Sequence, residues 1–463
     1  MSDHPNSRLF ADIARYAAER RAGDRERGHA PEASYAAQVE RFRIALKDDG
    51  LPGEEVIREL IALTEPGLAA MTGPRFFGWV IGGSNPVGVA ADWLTSIWGQ
   101  NTANHFATPS ASAVEEACRV ALLELMDLPR EASMGFSTGA TMASFTCLAA
   151  ARGEVLRRAG WDVEAQGVFG APPITIVLGE EAHSTIFAGL KYLGFGERNI
   201  VRVAVDRNGA MIAGAFAEAV ETLTGPMIAI AQAGHINSGA FDPFGEIARI
   251  VKAKNAWLHI DGAFGLWAMA TPTHRHLGEG LELADSWSVD GHKWLQTPYD
   301  SAYAIVKDRE AHRRAMQVSA SYLPPSGDDV RTPSDYVPEL SRRARGFATW
   351  AMIRRLGRRG IADMVTRHCA QARLFGQKMS EAPGVTVMNE VVLNQVVVHF
   401  GSDAQTKDVI ARVQADGVCF VGGAEWRGKQ VMRISVINEN TTDADVDRSV
   451  QSMLAAWDAV RPL

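Results

Sequence analysis

Cysteine is scarce in this sequence, and no two cysteines are close together. The chain of 463 residues contains four, Cys118, Cys147, Cys369 and Cys419, and no C-x-x-C pair. This pattern excludes a disulfide framework and is typical of reduced, buried thiols. We therefore predict a cytoplasmic protein.

An excess of positive charge is also absent. The chain has 47 basic and 54 acidic side chains, a formal charge of −7, which argues against a nucleic-acid-binding protein. The first 21 residues contain no apolar stretch of the kind found in secretory signals. The uncharged segment 132–151 has the length of a membrane span, but it contains three Ser, three Thr and two Gly and no run of Leu, Ile or Val. We predict neither nucleic acid nor membrane as a partner.

The overall composition is that of a globular protein. Hydrophobic residues make up 46% and charged residues 22%, which excludes a disordered chain and a coiled coil. The 43 glycines exceed the usual share without a collagen-like period, so loops that depend on glycine are expected. The chain is long enough to bury a large core without disulfides.

Short apolar runs in the middle of the chain predict an α/β fold. They lie at 174–179, 226–234, 257–262 and 285–294, and the first two are followed by helical patterns. Continuous apolar strands alternating with helices indicate a parallel sheet that is buried on both faces. In such sheets, ligands bind beyond the carboxyl ends of the strands.

The segments on either side indicate further units. Residues 1–70 have helical apolar spacing with a break at Pro66-Gly67, and 110–128 predicts a helix. Before Ser137, the polar segment 128–136 makes a poor buried strand. The predicted division is an N-terminal helical segment, a large domain and a small C-terminal α+β domain: 1–75, 76–340 and 341–463.

The last third of the chain contains a predicted loop and two more strands. Residues 320–338 are rich in Pro, Ser, Gly and Asp, which predicts a long exposed loop. A basic helix begins near 342, and its arginines are expected to form a solvated face. Strand-like runs at 391–400 and 430–437, separated by a helix, indicate the smaller α+β domain.

A lysine at the end of the last central strand is the first candidate for chemistry. Lys293 lies in the segment Asp290-Gly-His-Lys293-Trp294, where a parallel sheet would place its ligand. A desolvated lysine has a lowered pKa and can attack a carbonyl to form a Schiff base. In isolation, a solvated loop lysine would be the commoner interpretation.

Three other features could serve the same chemistry. Asp261 ends the strand at 257–262, where it could cap a helix or hold the ring nitrogen of a pyridine cofactor protonated. The turn Ser137-Thr-Gly139-Ala-Thr141 precedes a helix, and its small residues could admit a phosphate to the helix N-terminus. His183 follows the strand at 174–179, either as a capping residue or stacked on a cofactor ring.

Taken in order, these motifs resemble the group II pyridoxal-phosphate (PLP) decarboxylases, the family of the aromatic-amino-acid, glutamate and histidine decarboxylases. The motifs that carry the resemblance are PRFFGWV (74–80), SAS-x-x-E before DLP (110–129), the Ser137–Thr141 turn, AHST (182–185), FDP (241–243), HIDGA (259–263), ADSWSVDGHKW (284–294) and RISVINENTT (433–442). The resemblance implies a type I PLP fold, with a mostly parallel seven-stranded sheet in the large domain. It also implies that the chain is an amino acid decarboxylase (a carboxy-lyase) that forms a homodimer.

The resemblance also implies roles for individual residues. Lys293 would bind PLP covalently, Asp261 would pair with the ring nitrogen, and His183 would stack on the ring. The phosphate would be held by Gly139, Ala140, Thr141, Ser286 and His292, with Ala263 beneath the ring. Tyr322 corresponds to a loop tyrosine that protonates the substrate carbanion, and in the family this loop reaches the partner subunit's site.

Two departures from the family pattern bear on the substrate. The usual Gly-Thr-Thr is replaced by Gly234-His-Ile-Asn237, so Asn237 is predicted to substitute for a cofactor-setting threonine. The predicted substrate pocket comprises Trp79, Asn101, Ala103 and His105. Its amide and imidazole stand where aromatic-specific relatives are apolar, which favours a substrate with a polar side chain because buried polar groups need partners.

Rival chemistries use some of the same residues. Gly135-Phe-Ser137-Thr-Gly139 matches a serine-hydrolase nucleophile elbow, with Asp261 and His292 in the required chain order. His274 and His276 could suggest a metal, but no third ligand is near in sequence, so no metal is predicted.

Within the PLP enzymes, three alternatives remain. Arg433 could grip a substrate carboxylate in an aminotransferase. An aldehyde synthase is disfavoured because such relatives carry phenylalanine in place of Tyr322. A carbon–carbon lyase of the same fold stays open.

Overall fold

The computed structural model describes residues 7–43, 46, 48–318 and 331–461. The helices are α1 Ser7–Ala22, α2 Tyr35–Phe42, α3 Gly53–Thr64, α4 Pro86–Trp98, α5 Pro109–Leu125, α6 Ala140–Arg158, α7 Val163–Gln166, α8 Ser184–Tyr192, α9 Ala213–Glu221, α10 Phe244–Ala253, α11 Arg309–Met316, α12 Gly346–Ser380, α13 Asp403–Asp416 and α14 Asp443–Asp458. The strands are β1 Ser133–Ser137, β2 Thr175–Gly179, β3 Ile200–Val203, β4 Met227–Gln232, β5 Trp257–Asp261, β6 Ser286–Asp290, β7 Ala302–Val306, β8 Val385–Val387, β9 Gln395–Phe400, β10 Gly422–Trp426 and β11 Lys429–Ser435.

A seven-stranded sheet forms the centre of the large domain. Its strand order is β1-β7-β6-β5-β4-β2-β3. Strand β7 runs antiparallel to both of its neighbours, while the pairings among β2 to β6 are parallel. Every residue of β5 and β6 is buried, as continuous apolar strands covered on both faces require. The predicted α/β fold with a mostly parallel sheet is confirmed.

Strand β1 corrects one sequence expectation. Residues Ser133–Ser137 form a fully buried strand, although the segment before Ser137 is too polar to predict one. The hydroxyl of Ser133 donates to the carbonyl of Val306 and contacts Nδ1 of His312, which removes the cost of burying it. Gly135 lets the backbone of Tyr336 approach β1, because a Cβ at Gly135 would lie only 2.0 Å from the carbonyl oxygen of Tyr336.

The segment that covers β1 is a second correction. Residues 320–338 were expected to form a long exposed loop, but Pro333–Tyr336 forms a 3₁₀ turn, and Tyr336 and Val337 are buried. The Tyr336 ring lies against His312 and accepts the Arg331 guanidinium over its face at 5.1 Å. The first part of the predicted loop, residues 320–330, lies outside the described residues.

A four-stranded antiparallel sheet in the order β10-β11-β9-β8 forms the smaller C-terminal unit. The predicted strands at 391–400 and 430–437 correspond to β9 and β11, and the small unit has its own apolar core. The long helix α12 leads into it, with a break at Gly357, whose φ is 61°. The domain limits near 75 and 340 stay a prediction.

The uncharged segment 132–151 is accounted for by β1 and the first turns of α6. Among the described residues, no helix combines the length and the apolar character needed to cross a membrane.

Candidate active site

The carboxyl ends of the parallel strands bring three of the predicted site residues together. Asp261 ends β5, and its neighbours in the sheet are Gln232 of β4 and Ser288 of β6. His183 follows β2, and Lys293 lies three residues beyond β6. Asp261 and Lys293 both act electrostatically on His183, as expected of groups that share one small site.

Asp261 is buried at the bottom of this site. Its Oδ1 accepts the backbone N–H of Ala263 at 3.2 Å. Burial raises the pKa of its carboxyl, while His183 and Lys293 favour the charged form. A carboxylate held in this way can be stabilised by a protonated ring nitrogen.

His183 is held in one orientation by the start of α8. It is the N-cap residue of that helix, and its Nδ1 accepts the backbone N–H of Thr185 at 3.3 Å. The proton of the neutral ring is therefore on Nε2. Desolvation lowers the pKa of His183, which favours a neutral imidazole that can pack flat on an aromatic ring.

The predicted phosphate turn lies at the N-terminus of α6. Gly139 is the N-cap residue, followed by Ala140 and Thr141. A Cβ at Gly139 would lie 3.7 Å from Cε1 of His292, so this turn and His292 face each other. The unpaired N–H groups of a helix N-terminus are suited to a phosphate.

Two residues of β6 differ from the sequence expectation. Ser286 begins β6, at the end remote from Lys293, and its Oγ accepts the indole N–H of Trp257 at 2.9 Å. The structure does not bring Ser286 to the site. Asp290, at the other end of β6, was missed as a site residue: its Oδ1 accepts the backbone N–H of Ala140 at 2.7 Å, and its Oδ2 lies 3.0 Å from Nζ of Lys293.

The segment after β4 is organised by a histidine. Nδ1 of buried His235 accepts the backbone N–H groups of Asn237 and Ser238, each at 3.3 Å. Its Nε2 lies 3.0 Å from Oε2 of Glu181, which also accepts the indole N–H of Trp426 at 2.7 Å. Asn237 enters this network through its backbone, whereas its side chain was expected to act on the cofactor. Sequence reasoning missed Glu181 and His235.

Arg433 extends from β11 of the small sheet toward the same site. It donates to the carbonyl of Ile236 at 2.8 Å, and its charge acts on His183. Burial lowers the pKa of Arg433 to about 10. Its buried Nε has no hydrogen-bond partner among the described residues. A buried guanidinium with an unused donor fits an anionic ligand such as a carboxylate.

The predicted substrate-pocket residues lie in two places. Trp79 is 55% exposed and packs on Phe420, and its segment continues to Gly82, whose N–H donates to the carbonyl of His292 at 3.2 Å. The other three residues contact the segment that follows residue 330. These contacts are Asn101 Oδ1 with Arg342 N, Ala103 O with Ser334 N, and His105 Nδ1 with Thr332 Oγ1. Tyr322 lies outside the described residues.

The structure does not form the catalytic triad that the serine-hydrolase alternative requires. Oγ of Ser137 contacts the carbonyl of Gly139 at 3.4 Å, and Nδ1 of His292 accepts the backbone N–H of Ser301 at 3.2 Å. A triad histidine must donate its Nδ1–H to the carboxylate, so His292 has the wrong arrangement for that role. In the described part of the chain, no group of three or more His, Cys, Asp or Glu side chains could hold a metal.

The residues present fit PLP as a ligand. Lys293 supplies an amine, and buried Asp261 supplies a partner for a ring nitrogen. The start of α6 supplies amides for a phosphate, and the unused Nε of Arg433 can meet a carboxylate.

Comparisons with known proteins agree with this geometry. Residues 37–400 match the pyridoxal-dependent decarboxylase conserved domain. The chain is 25% identical over 389 residues to the aromatic-L-amino-acid decarboxylase of Bacillus atrophaeus, covering 81% of this chain and 79% of the relative. It is 27% identical over 380 residues to the L-2,4-diaminobutyrate decarboxylase of Rhizobium meliloti, covering 79% and 74%.

Solved structures show the same fold. The structure of Oryza sativa TDC with PLP and tryptamine superposes with a TM-score of 0.91 at 21% identity, covering 100% of this chain and 99% of that one. Because the family match spans most of the chain, the assignment does not depend on any single motif. The chain belongs to the pyridoxal-dependent decarboxylase family and is a PLP-dependent enzyme that converts an L-amino acid into the amine and CO₂.

Proposed function

We propose that this decarboxylase acts on an L-amino acid with a polar side chain, as a cytoplasmic homodimer whose active sites lie at the subunit interface. The observation that carries the proposal is the convergence of Lys293, Asp261 and His183 at the carboxyl edge of the sheet. All three are motif residues, and His183 and Asp261 each experience the charge of the other and of Lys293.

PLP, when bound, supplies a protonated pyridine ring that accepts the electrons left behind when CO₂ departs. In our proposal Lys293 would anchor it, Asp261 would keep the ring nitrogen protonated, and His183 would pack on the ring. Gly139, Ala140, Thr141 and His292 would hold the phosphate, and Ala263 would pack beneath the ring.

Arg433 is proposed to orient the substrate. Its position beside His183 and its unused Nε suit the α-carboxylate of an incoming amino acid. Arg433 would hold that carboxylate while CO₂ is lost. Tyr322 would supply the proton that Cα needs after CO₂ has left, and Lys293 would displace the amine.

The substrate class is proposed from Asn101, Ala103 and His105. Two of these side chains offer hydrogen bonds and the third leaves space, which suits a polar substrate better than an aromatic one. The relatives act on substrates of both kinds, by their names aromatic amino acids and L-2,4-diaminobutyrate. Measuring CO₂ release across the amino acids identifies the substrate, and a preference for aromatic amino acids contradicts this assignment.

The homodimer is supported by a strip of exposed apolar side chains. The exposed large apolar side chains on α4 are Val87, Trp93, Leu94, Ile97 and Trp98, and the last four share one face of the helix because they lie three or four positions apart. Contiguous exposed apolar surface of this kind marks a protein interface. The cytoplasmic assignment is supported by the four cysteines, all of which are free and buried.

Complementation between two variants that are impaired in amine formation tests the shared site. Lys293→Ala removes the cofactor lysine, and Tyr322→Phe removes the proposed proton donor. If Tyr322 serves the partner subunit's site, denaturing and refolding an equal mixture restores about a quarter of the wild-type activity, because half of the dimers are mixed and each has one complete site. Each variant refolded alone is the control. No recovery from the mixture contradicts a site shared between subunits.

A further inference from the structure

Asp290 lies between the phosphate turn and the cofactor lysine. Its Oδ1 accepts the backbone N–H of Ala140 at 2.7 Å, and its Oδ2 lies 3.0 Å from Nζ of Lys293. The side chain is only 4% exposed. Both carboxylate oxygens are therefore engaged by groups that the cofactor would need.

The position at Ala140 is one that an anion favours. The N-terminus of α6 carries a partial positive charge, and its first N–H groups lack partners within the helix. Asp290 supplies a carboxylate there from a different element, the end of β6. A Cβ at Gly139 would lie 4.0 Å from Oδ1 of Asp290, so a phosphate at this turn would lie beside a negative charge. Two anions so close repel each other.

The other neighbours of Asp290 do little to offset this repulsion. Nε2 of His292 lies 3.5 Å from Oδ1 of Asp290, but burial lowers the pKa of His292 and favours its neutral form. Asp261 is a second carboxylate in the same site, and Asp290 raises its pKa further. Lys293 is the cation in contact with Asp290, and bonding to the cofactor aldehyde would convert its ammonium group, with three N–H donors, into an imine with at most one.

We propose that Asp290 is a stand-in anion, a positioning residue that occupies the Ala140 amide and holds Lys293 while the cofactor is absent. It stabilises the cofactor-free chain and weakens capture of the phosphate group, so it sets how readily PLP is taken up and released. This inference rests on the proposed assignment of the α6 N-terminus as the phosphate site.

Asp290→Asn is the variant that tests it. The amide oxygen still accepts from Ala140, so the start of α6 is preserved while the negative charge is removed. Asp285→Asn is a matched control because Asp285 precedes the opposite end of β6 and its Oδ2 likewise accepts a backbone N–H, that of Leu258, at 2.8 Å. The cofactor-free proteins are titrated with PLP and with pyridoxal by absorbance, with inorganic phosphate as a competitor, and their Tm values are compared.

Removing one charge beside a phosphate is expected to raise the ratio of the pyridoxal Kd to the PLP Kd about tenfold in Asp290→Asn. Inorganic phosphate should compete at correspondingly lower concentration, and the Tm of the cofactor-free variant should fall. Asp285→Asn should keep the wild-type ratio.

A wild-type ratio in Asp290→Asn, or an equal rise in both variants, overturns the stand-in role while leaving the proposed function intact. If the wild-type protein binds no PLP at Lys293, both the proposed site and this inference fail.

Discussion

Trp294, the residue after Lys293, donates its indole N–H to Nδ1 of His368 at 2.9 Å. Nε2 of the same imidazole lies 2.9 Å from the carbonyl of Asn438, so its proton is on Nε2. This histidine therefore links the turn that carries Lys293 to α12 and to the segment after β11. Because both nitrogens are used, His368 must stay neutral in the folded protein, and burial lowers its pKa to about 3.

Replacing His368 should change how stability depends on pH. In the unfolded chain the imidazole titrates near its usual pKa of about 6.5, so its stabilising contribution is complete above that pH and is lost as the pH falls toward 3. The loss in the free energy of unfolding caused by His368→Gln should be about 2 kcal/mol smaller at pH 5 than at pH 7. Urea unfolding of the wild-type protein and the variant at the two pH values measures this loss. A cost that does not change with pH means that His368 is not held neutral.

The pair formed by Glu181 and His235 should hold the turn that carries His183. Glu181 accepts from Trp426 and lies 3.1 Å from the guanidinium of Arg427, so it also joins the large domain to β10. Glu181→Gln should cost about 1.5–3 kcal/mol because the hydrogen bonds involve a charged group. It should also alter the circular dichroism of the bound cofactor.

Glu180→Gln is the control for that experiment. Glu180 is the preceding residue and is exposed, with a weak contact to the N–H of Val205 at 3.4 Å. Its replacement should change stability by no more than about 0.5 kcal/mol. Equal effects at the two positions would contradict a specific role for Glu181.

A buried ion pair should stabilise the segment that begins at Arg331. The carboxylate of Glu115 and the guanidinium of Arg342 are 0% and 2% exposed and lie 2.7 Å apart, and Arg331 lies 3.3 Å from Glu115. Glu115→Gln should cost about 3–5 kcal/mol because it leaves a buried cation without a partner.

The neighbouring Glu116 offers a matched comparison. It is 41% exposed and pairs with Arg119, so Glu116→Gln should cost less than about 1 kcal/mol. Denaturant unfolding of both variants gives the two values. A small cost at Glu115 would show that Arg342 finds another partner or water.

Tyr322→Phe should separate the loss of CO₂ from the formation of the amine. If Tyr322 protonates Cα, the variant still releases CO₂ but forms less amine, and part of the product becomes aldehyde with consumption of oxygen. Measuring CO₂, amine, aldehyde and oxygen in one reaction tests this. Unchanged amine output would exclude Tyr322 as the proton donor.

The parallel core of the fold could be predicted because its strands are continuous apolar runs. Strands β2, β4, β5 and β6 coincide with the predicted runs. Strand β1 could not be predicted, since it is buried only because the rest of the fold satisfies its polar groups. The hydroxyl of Ser133 meets Val306 and His312, which are far away in sequence.

The candidate site shows the same limit. The convergence of Lys293, Asp261 and His183 could be predicted because each follows or ends a parallel strand, and the carboxyl ends of parallel strands lie at one edge of the sheet. Ser286 was misplaced because motif membership does not say which end of β6 faces the ligand. The contacts of Asp290 with Ala140 and of Glu181 with His235 join distant parts of the sequence, so only the folded chain reveals them.

The central claim is that PLP is carried by Lys293 in the pocket formed with Asp261 and His183. Borohydride reduction of the PLP-loaded protein, followed by peptide mass mapping, tests this most directly because reduction fixes the cofactor on the lysine that holds it. We predict a single modified peptide, the one that contains Asp290-Gly-His-Lys293-Trp294, and its loss in Lys293→Ala. Modification of another lysine, or an unmodified Lys293 in active protein, would contradict the account.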